Sequence, residues 1–140
     1  MNEAADTMPH RARSETWSVL YVDDDPRLHP PVQAMLGRLG HRAEVATSAD
    51  AALVLVQARH YDVVVADLTM LGMDGCALVR TLRRRAPCVA TVLASGWDPV
   101  EVQARVRDVD GPDAVLQKPF SLRELEQALR AAVVARRADV

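Results

Sequence analysis

The sequence predicts an α/β fold, a (βα)5 doubly wound parallel sheet of five strands with helices on both faces. Three observations predict it. Five short apolar runs alternate with five segments whose apolar residues recur at helical spacing. The middle run, Val63-Val64-Val65-Ala66, is apolar at every position, as a strand covered on both faces requires. Helix-start signatures follow several runs, among them the capping boxes Asp98-Pro99-Val100-Glu101 and Ser121-Leu122-Arg123-Glu124.

Residues 1–16 are polar and aperiodic and read as a flexible arm ahead of a domain over 17–137, with 138–140 as a frayed tail. Trp17 to Val22 is the first strand, and it runs into Asp23-Asp24-Asp25-Pro26. Val32, Met35, Leu36 and Leu39 mark a helix that starts near Pro30 and Pro31 and stops at Gly40. Arg42 to Ala46 is a weaker strand. Ser48 caps a helix carrying Leu53 and Val56 that ends near His60.

The central strand stops at Asp67, and Gly72-Met73-Asp74-Gly75 turns the chain into a helix capped by Asp74. Leu78, Val79 and Leu82 form its buried side, and Arg83 to Arg85 favour the negative end of its dipole. Val89 to Ala94 is the fourth strand, ending in Ser95-Gly96-Trp97. Ala114 to Gln117 is the fifth, ending at Lys118-Pro119-Phe120. Leu125, Leu129 and Val133 then share one face of the last helix.

Composition narrows the function. The 140 residues are 49% hydrophobic with a net charge of -2, ordinary for one globular domain and no electrostatic case for nucleic-acid binding. No apolar run reaches the ~20 residues that span a bilayer, and the N-terminus lacks a signal-peptide core, so a cytoplasmic protein is expected. Cys76 and Cys88 form no metal-binding spacing and read as reduced, packed thiols.

Right-handed crossovers place the carboxyl ends of parallel strands along one edge, where open α/β sheets bind ligands. That edge collects Asp23, Asp24, Asp67, Ser95 and Lys118. Singly, each is ordinary: a solvated acidic turn, a helix cap, a turn hydroxyl, a surface lysine. Together they make a site for Mg2+ and a phosphoryl group, with hard oxygen ligands for the cation and a compact charge for phosphoryl oxygens.

Val22-Asp23-Asp24-Asp25, the stretch from Asp67 to Gly75, Ala94-Ser95-Gly96 and Lys118-Pro119-Phe120 resemble, in order and spacing, the motifs of response-regulator receiver domains. The resemblance covers about Ser18 to Arg136. It implies a flavodoxin-like sheet of order 2-1-3-4-5 and a phosphoacceptor switch of two-component or phosphorelay signalling. Asp67 would be the phosphorylated aspartate. Asp24, Asp67 and the Thr69 carbonyl would ligate Mg2+, with Asp23 acting mostly through water. Ser95 and Lys118 would contact the phosphoryl group, and the Lys118-Pro119 peptide would be cis. The donor would be a histidine kinase or a histidine phosphotransfer domain, with no direct nucleic-acid or membrane partner. The protein, a monomer or weak dimer, would catalyse only its own phosphorylation and slow dephosphorylation.

Three positions depart from the family pattern. Leu71 stands at the usual proline, which implies a less rigid loop, and Val115 at the usual aromatic switch residue. Trp97, two residues after Ser95, either shields the acyl phosphate or packs on the following helix. Asp67-Leu68-Thr69 argues against an aspartyl phosphatase with Asp-x-Asp. The missing Gly-x-Gly-x-x-Gly argues against a dinucleotide-binding unit. The expected setting is a stand-alone regulator or shuttle. The alternatives are a receiver from a hybrid histidine kinase and a non-phosphorylated docking module.

Overall fold

The computed structural model describes residues 15–106 and 111–139. Five strands, β1 (Ser18–Val22), β2 (Arg42–Ala46), β3 (Val63–Asp67), β4 (Ala90–Ser95) and β5 (Ala114–Gln117), form one parallel sheet in the order β2-β1-β3-β4-β5. Five α-helices connect or follow them: α1 (His29–Arg38), α2 (Ala49–Ala58), α3 (Gly75–Arg85), α4 (Pro99–Arg105) and α5 (Leu122–Asp139). A short 3-10 turn, Pro26–Leu28, leads into α1, so both prolines sit in the first helical turn where their missing N–H groups cost little.

Alternation along the strands divides the core in two. Leu20, Val22, Val64, Ala66 and Leu93 face α2 and α3, whereas Val19, Tyr21, Val63, Val65, Val92 and Leu116 face α1 and α5. Every residue of β3 and β4 is buried, which accounts for their mostly apolar sequence up to the strand-end Asp67 and Ser95. The caps at Ser48, Asp74, Asp98 and Ser121 form as the sequence implies, each accepting backbone N–H bonds from the first helical turn.

Register sets the site. Val22 lies opposite Ala66, Asp67 opposite Ala94, and Ser95 opposite Gln117. Residues just beyond these pairs therefore emerge side by side at one edge. None of the described helices is long and apolar enough to cross a membrane.

Four details differ from the sequence expectation. Trp17 lies outside β1, buried and stacked on the His41 ring at 4.9 Å, so it serves as a core plug. β4 extends one residue further, making Ser95 a buried strand residue. The last helix continues through Asp139, two residues past the expected end of the domain, where buried Arg136 pairs with Asp113 at 3.0 Å and Asp139 at 3.1 Å. Cys76 is buried as expected but Cys88 is exposed, because it lies in the loop beyond α3, outside the packed face. The expected arm and residue 140 lie outside the described residues, apart from Glu15 and Thr16, which precede β1 without regular structure.

Gly75 opens α3 directly behind Asp67. A Cβ there would collide with the Asp67 carbonyl oxygen and stand 2.7 Å from Leu93 Cδ2. Neither the strand backbone nor a packed leucine can retreat cheaply. Gly75→Ala is expected to cost about 1–3 kcal/mol, the usual range for overpacking. Urea denaturation checks this, and an unchanged midpoint would show that the helix start yields.

Candidate functional site

Asp67 at the end of β3, and Asp23 and Lys118 just past β1 and β5, continue the alternation of Val65, Tyr21 and Leu116, so all three turn to the same side of the sheet edge. Lys118 Nζ stands 3.1 Å from Asp23 Oδ2 and 3.1 Å from Asp67 Oδ1. Carboxylate oxygens of Asp23, Asp24 and Asp67 all lie within 4.8 Å of one another. Asp23 and Asp67 are buried and Asp24 is exposed.

The carboxylates are held differently. Asp23 accepts from Tyr21 OH at 2.7 Å and Lys118 Nζ at 3.1 Å on Oδ2, and from the Asp25 N–H at 3.0 Å on Oδ1. Its carbonyl accepts from His29 Nε2 at 2.8 Å, which makes Nε2 the protonated ring nitrogen. Asp24 accepts from the Leu71 N–H at 3.0 Å. A proline at that position would have no N–H to give. Leu71, exposed though it is, thus links the loop after β3 to the first acidic turn through its N–H.

Burial pushes the Asp67 carboxyl above the usual carboxylate range. Lys118 opposes that shift by hydrogen bond and charge, and the nearby Asp23 and Asp24 reinforce it. Burial alone would lower the Lys118 ammonium, but its bonds to Asp67 and Asp23 outweigh that and hold it above its ordinary value. One ammonium thus faces three carboxylates, leaving an uncompensated charge of the size a divalent cation carries. The donors are all hard oxygens, so the residues present fit Mg2+.

Thr69 lies exposed in the loop two residues past Asp67. Ser95 Oγ accepts from the Trp97 N–H at 2.9 Å, and the Lys118 N–H donates to the Ser95 carbonyl at 2.7 Å. The Lys118–Pro119 peptide is cis. The Arg105 guanidinium covers the Trp97 ring, 5.6 Å from its centroid, so the indole lies on the α4 side. Val115 is 43% exposed and, with Ser95, Trp97, Val102 and Gln117, lines an open cavity of about 510 Å3. The sequence reading missed Tyr21 and His29. The signal for Tyr21 was its spacing, since a tyrosine two residues before a strand-end carboxylate shares its face.

The model of the response regulator receiver domain family matches residues 19–130. The transcriptional activator protein PfeR of Pseudomonas aeruginosa is 36% identical over 109 residues, covering 77% of this chain and 35% of that protein. The two-component response regulator PhoP of the same organism is 34% identical over 117 residues, covering 81% and 50%. The chain thus spans about a third to a half of the length of these relatives. Among solved structures, the receiver domain of Francisella response regulator 1452 aligns with a TM-score of 0.74 at 27% identity, over 89% of this chain and 99% of that one. A sensor protein from Polaromonas sp. JS666 aligns at 0.78 and 28% identity, over 85% and 97%.

The raised Asp67 carboxyl gives a signed expectation. A carboxylate whose folded pKa lies above its unfolded value destabilises the fold when ionised, and that penalty fades as pH falls through the folded pKa. Without metal, Asp67→Asn should therefore melt above wild type at neutral pH, with the gap narrowing as pH falls into the acid range where the raised carboxyl takes up its proton. Parallel melting scans across that range check it; a gap that stays constant or widens would contradict the charge argument.

Proposed function

The chain belongs to the response regulator receiver domain family, and from that premise we propose that it is the phosphoacceptor switch of a two-component or phosphorelay system, with Asp67 as acceptor. The observation that carries this reading is Lys118 Nζ bridging Asp23 and Asp67 at 3.1 Å each, beside the exposed Asp24. A nucleophilic carboxylate, a cation-fitting oxygen set and a fixed ammonium meet at one point.

The donor is a phosphohistidine on a histidine kinase or phosphotransfer domain. An Asp67 carboxylate oxygen attacks the phosphorus, a P–O bond forms, and the P–N bond breaks with its electron pair staying on the imidazole nitrogen. The imidazole, protonated at its other nitrogen, departs neutral. Lys118, 3.1 Å from Asp67 Oδ1, balances charge on the transferring oxygens. Asp24, Asp67 and the Thr69 carbonyl would hold Mg2+, with Asp23 acting through water, and the ion would add charge neutralisation and favour an ionised Asp67. The catalysis is confined to the protein's own phosphorylation and dephosphorylation.

Ser95 then links site and output. Its hydroxyl is held by the Trp97 N–H, so turning toward a phosphoryl group releases that turn and shifts the equilibrium of the segment before α4. With valine at 115, no ring fills the cavity beside Ser95, so the shift rests on the Ser95 to Trp97 turn. That favours a local conformational change of the kind a shuttle needs.

Incubation with Mg2+ and a small phosphodonor, read by intact mass, tests the assignment. Wild type should gain one phosphoryl group and Asp67→Asn none. Undiminished labelling of the Asn variant would place the acceptor elsewhere.

A further inference from the structure

Tyr21 is buried in β1 on the α1 and α5 side, edge-on to His29 with ring centroids 6.0 Å apart. Its apolar neighbours need only a ring or an aliphatic chain there; leucine and valine serve at adjacent β1 positions. The hydroxyl is the added feature, and a buried hydroxyl needs a partner. It finds one at Asp23 Oδ2, 2.7 Å away, the same oxygen that receives Lys118 Nζ at 3.1 Å. Burial, then the bond to Asp23, push the phenol far above its ordinary value, so it stays a donor at all physiological pH.

We propose that Tyr21 is a positioning residue for phosphoryl transfer, donating to Asp23 Oδ2 so that Lys118 is released toward Asp67 and the group it carries. This rests on Asp67 being the acceptor. Lys118 stands equally far from Asp23 and Asp67, so the more negative oxygen commands it. A second donor on Asp23 Oδ2 spreads that oxygen's charge and loosens its hold. The Asp25 N–H on Oδ1 and His29 Nε2 on the carbonyl keep the aspartate fixed while this happens. Without the hydroxyl, Asp23 keeps its place but recovers its charge. Lys118 is then drawn away from Asp67, while attraction for a cation is undiminished.

That opposition separates positioning from packing, since loosened packing would weaken transfer and metal binding together. Tyr21→Phe and Tyr21→Leu, both able to fill the core, are compared with wild type and Asp67→Asn. The rate of labelling by phosphoramidate at saturating Mg2+ is measured alongside Mg2+ affinity by calorimetry. Labelling of both Tyr21 variants should slow by about tenfold, the weight of one charge-assisted hydrogen bond, with Mg2+ affinity equal to or tighter than wild type. An unchanged rate, or rate and affinity falling together, overturns the proposal for Tyr21. Failure of wild type to label, or equal labelling of Asp67→Asn, overturns the acceptor reading itself and Tyr21's role with it.

Discussion

Lys118 brings one positive charge to an edge where three carboxylates converge, and the arrangement around it depends on how that charge is shared. The convergence follows from topology. Parallel strands with right-handed crossovers place Asp23, Asp67 and Lys118 at corresponding ends, and the register leaves them one residue or less beyond paired positions. Shared alternation then turns the three side chains to one side. Burying a carboxylate here, with like charges beside it, disfavours the folded state, and the raised Asp67 carboxyl expresses that cost. The rigid core of β3 and β4 holds the carboxylates together nonetheless.

The carboxylates divide the work by burial. Asp23 accepts two donors on Oδ2 and one on Oδ1, which fixes its orientation. Asp24 is exposed and tethered by a single N–H, which suits a ligand that must exchange water for a cation. Asp67 lies between them in character, buried enough to be raised in pKa and open enough to keep some accessible surface. Gly75 belongs to the same design, because only a residue without Cβ lets α3 begin against the Asp67 carbonyl.

Much of this was legible in the sequence. A run of β-branched residues reported β3, an apolar run reported β4, and Ser or Asp followed by Glu reported two helix starts, because these signals are local. That Asp23, Asp24, Asp67 and Lys118 would meet at one edge was legible because strand ends are predictable edges. Contacts set by long-range packing were less so. Arg83 looked like a dipole-favouring cation at a helix end, yet it reaches Gly111 and Asp113 across the fold. Arg136 looked like one more surface cation near a helix end, yet it is buried against Asp113. Leu71 looked like a loss of rigidity, yet its N–H supplies an anchor that proline lacks. In each case the partner lies more than twenty residues away, beyond the reach of periodicity.

The central claim is that uncompensated negative charge at the sheet edge makes this a divalent-cation site. Thermal unfolding with increasing Mg2+ tests it most directly, because a ligand bound only by the folded state raises the midpoint by mass action. Wild type should gain stability steadily through the millimolar range, and Asp24→Asn, which keeps the shape but removes the exposed charge, should lose most of that gain. A wild-type midpoint indifferent to Mg2+, or an Asp24→Asn variant that gains as much, would contradict the account.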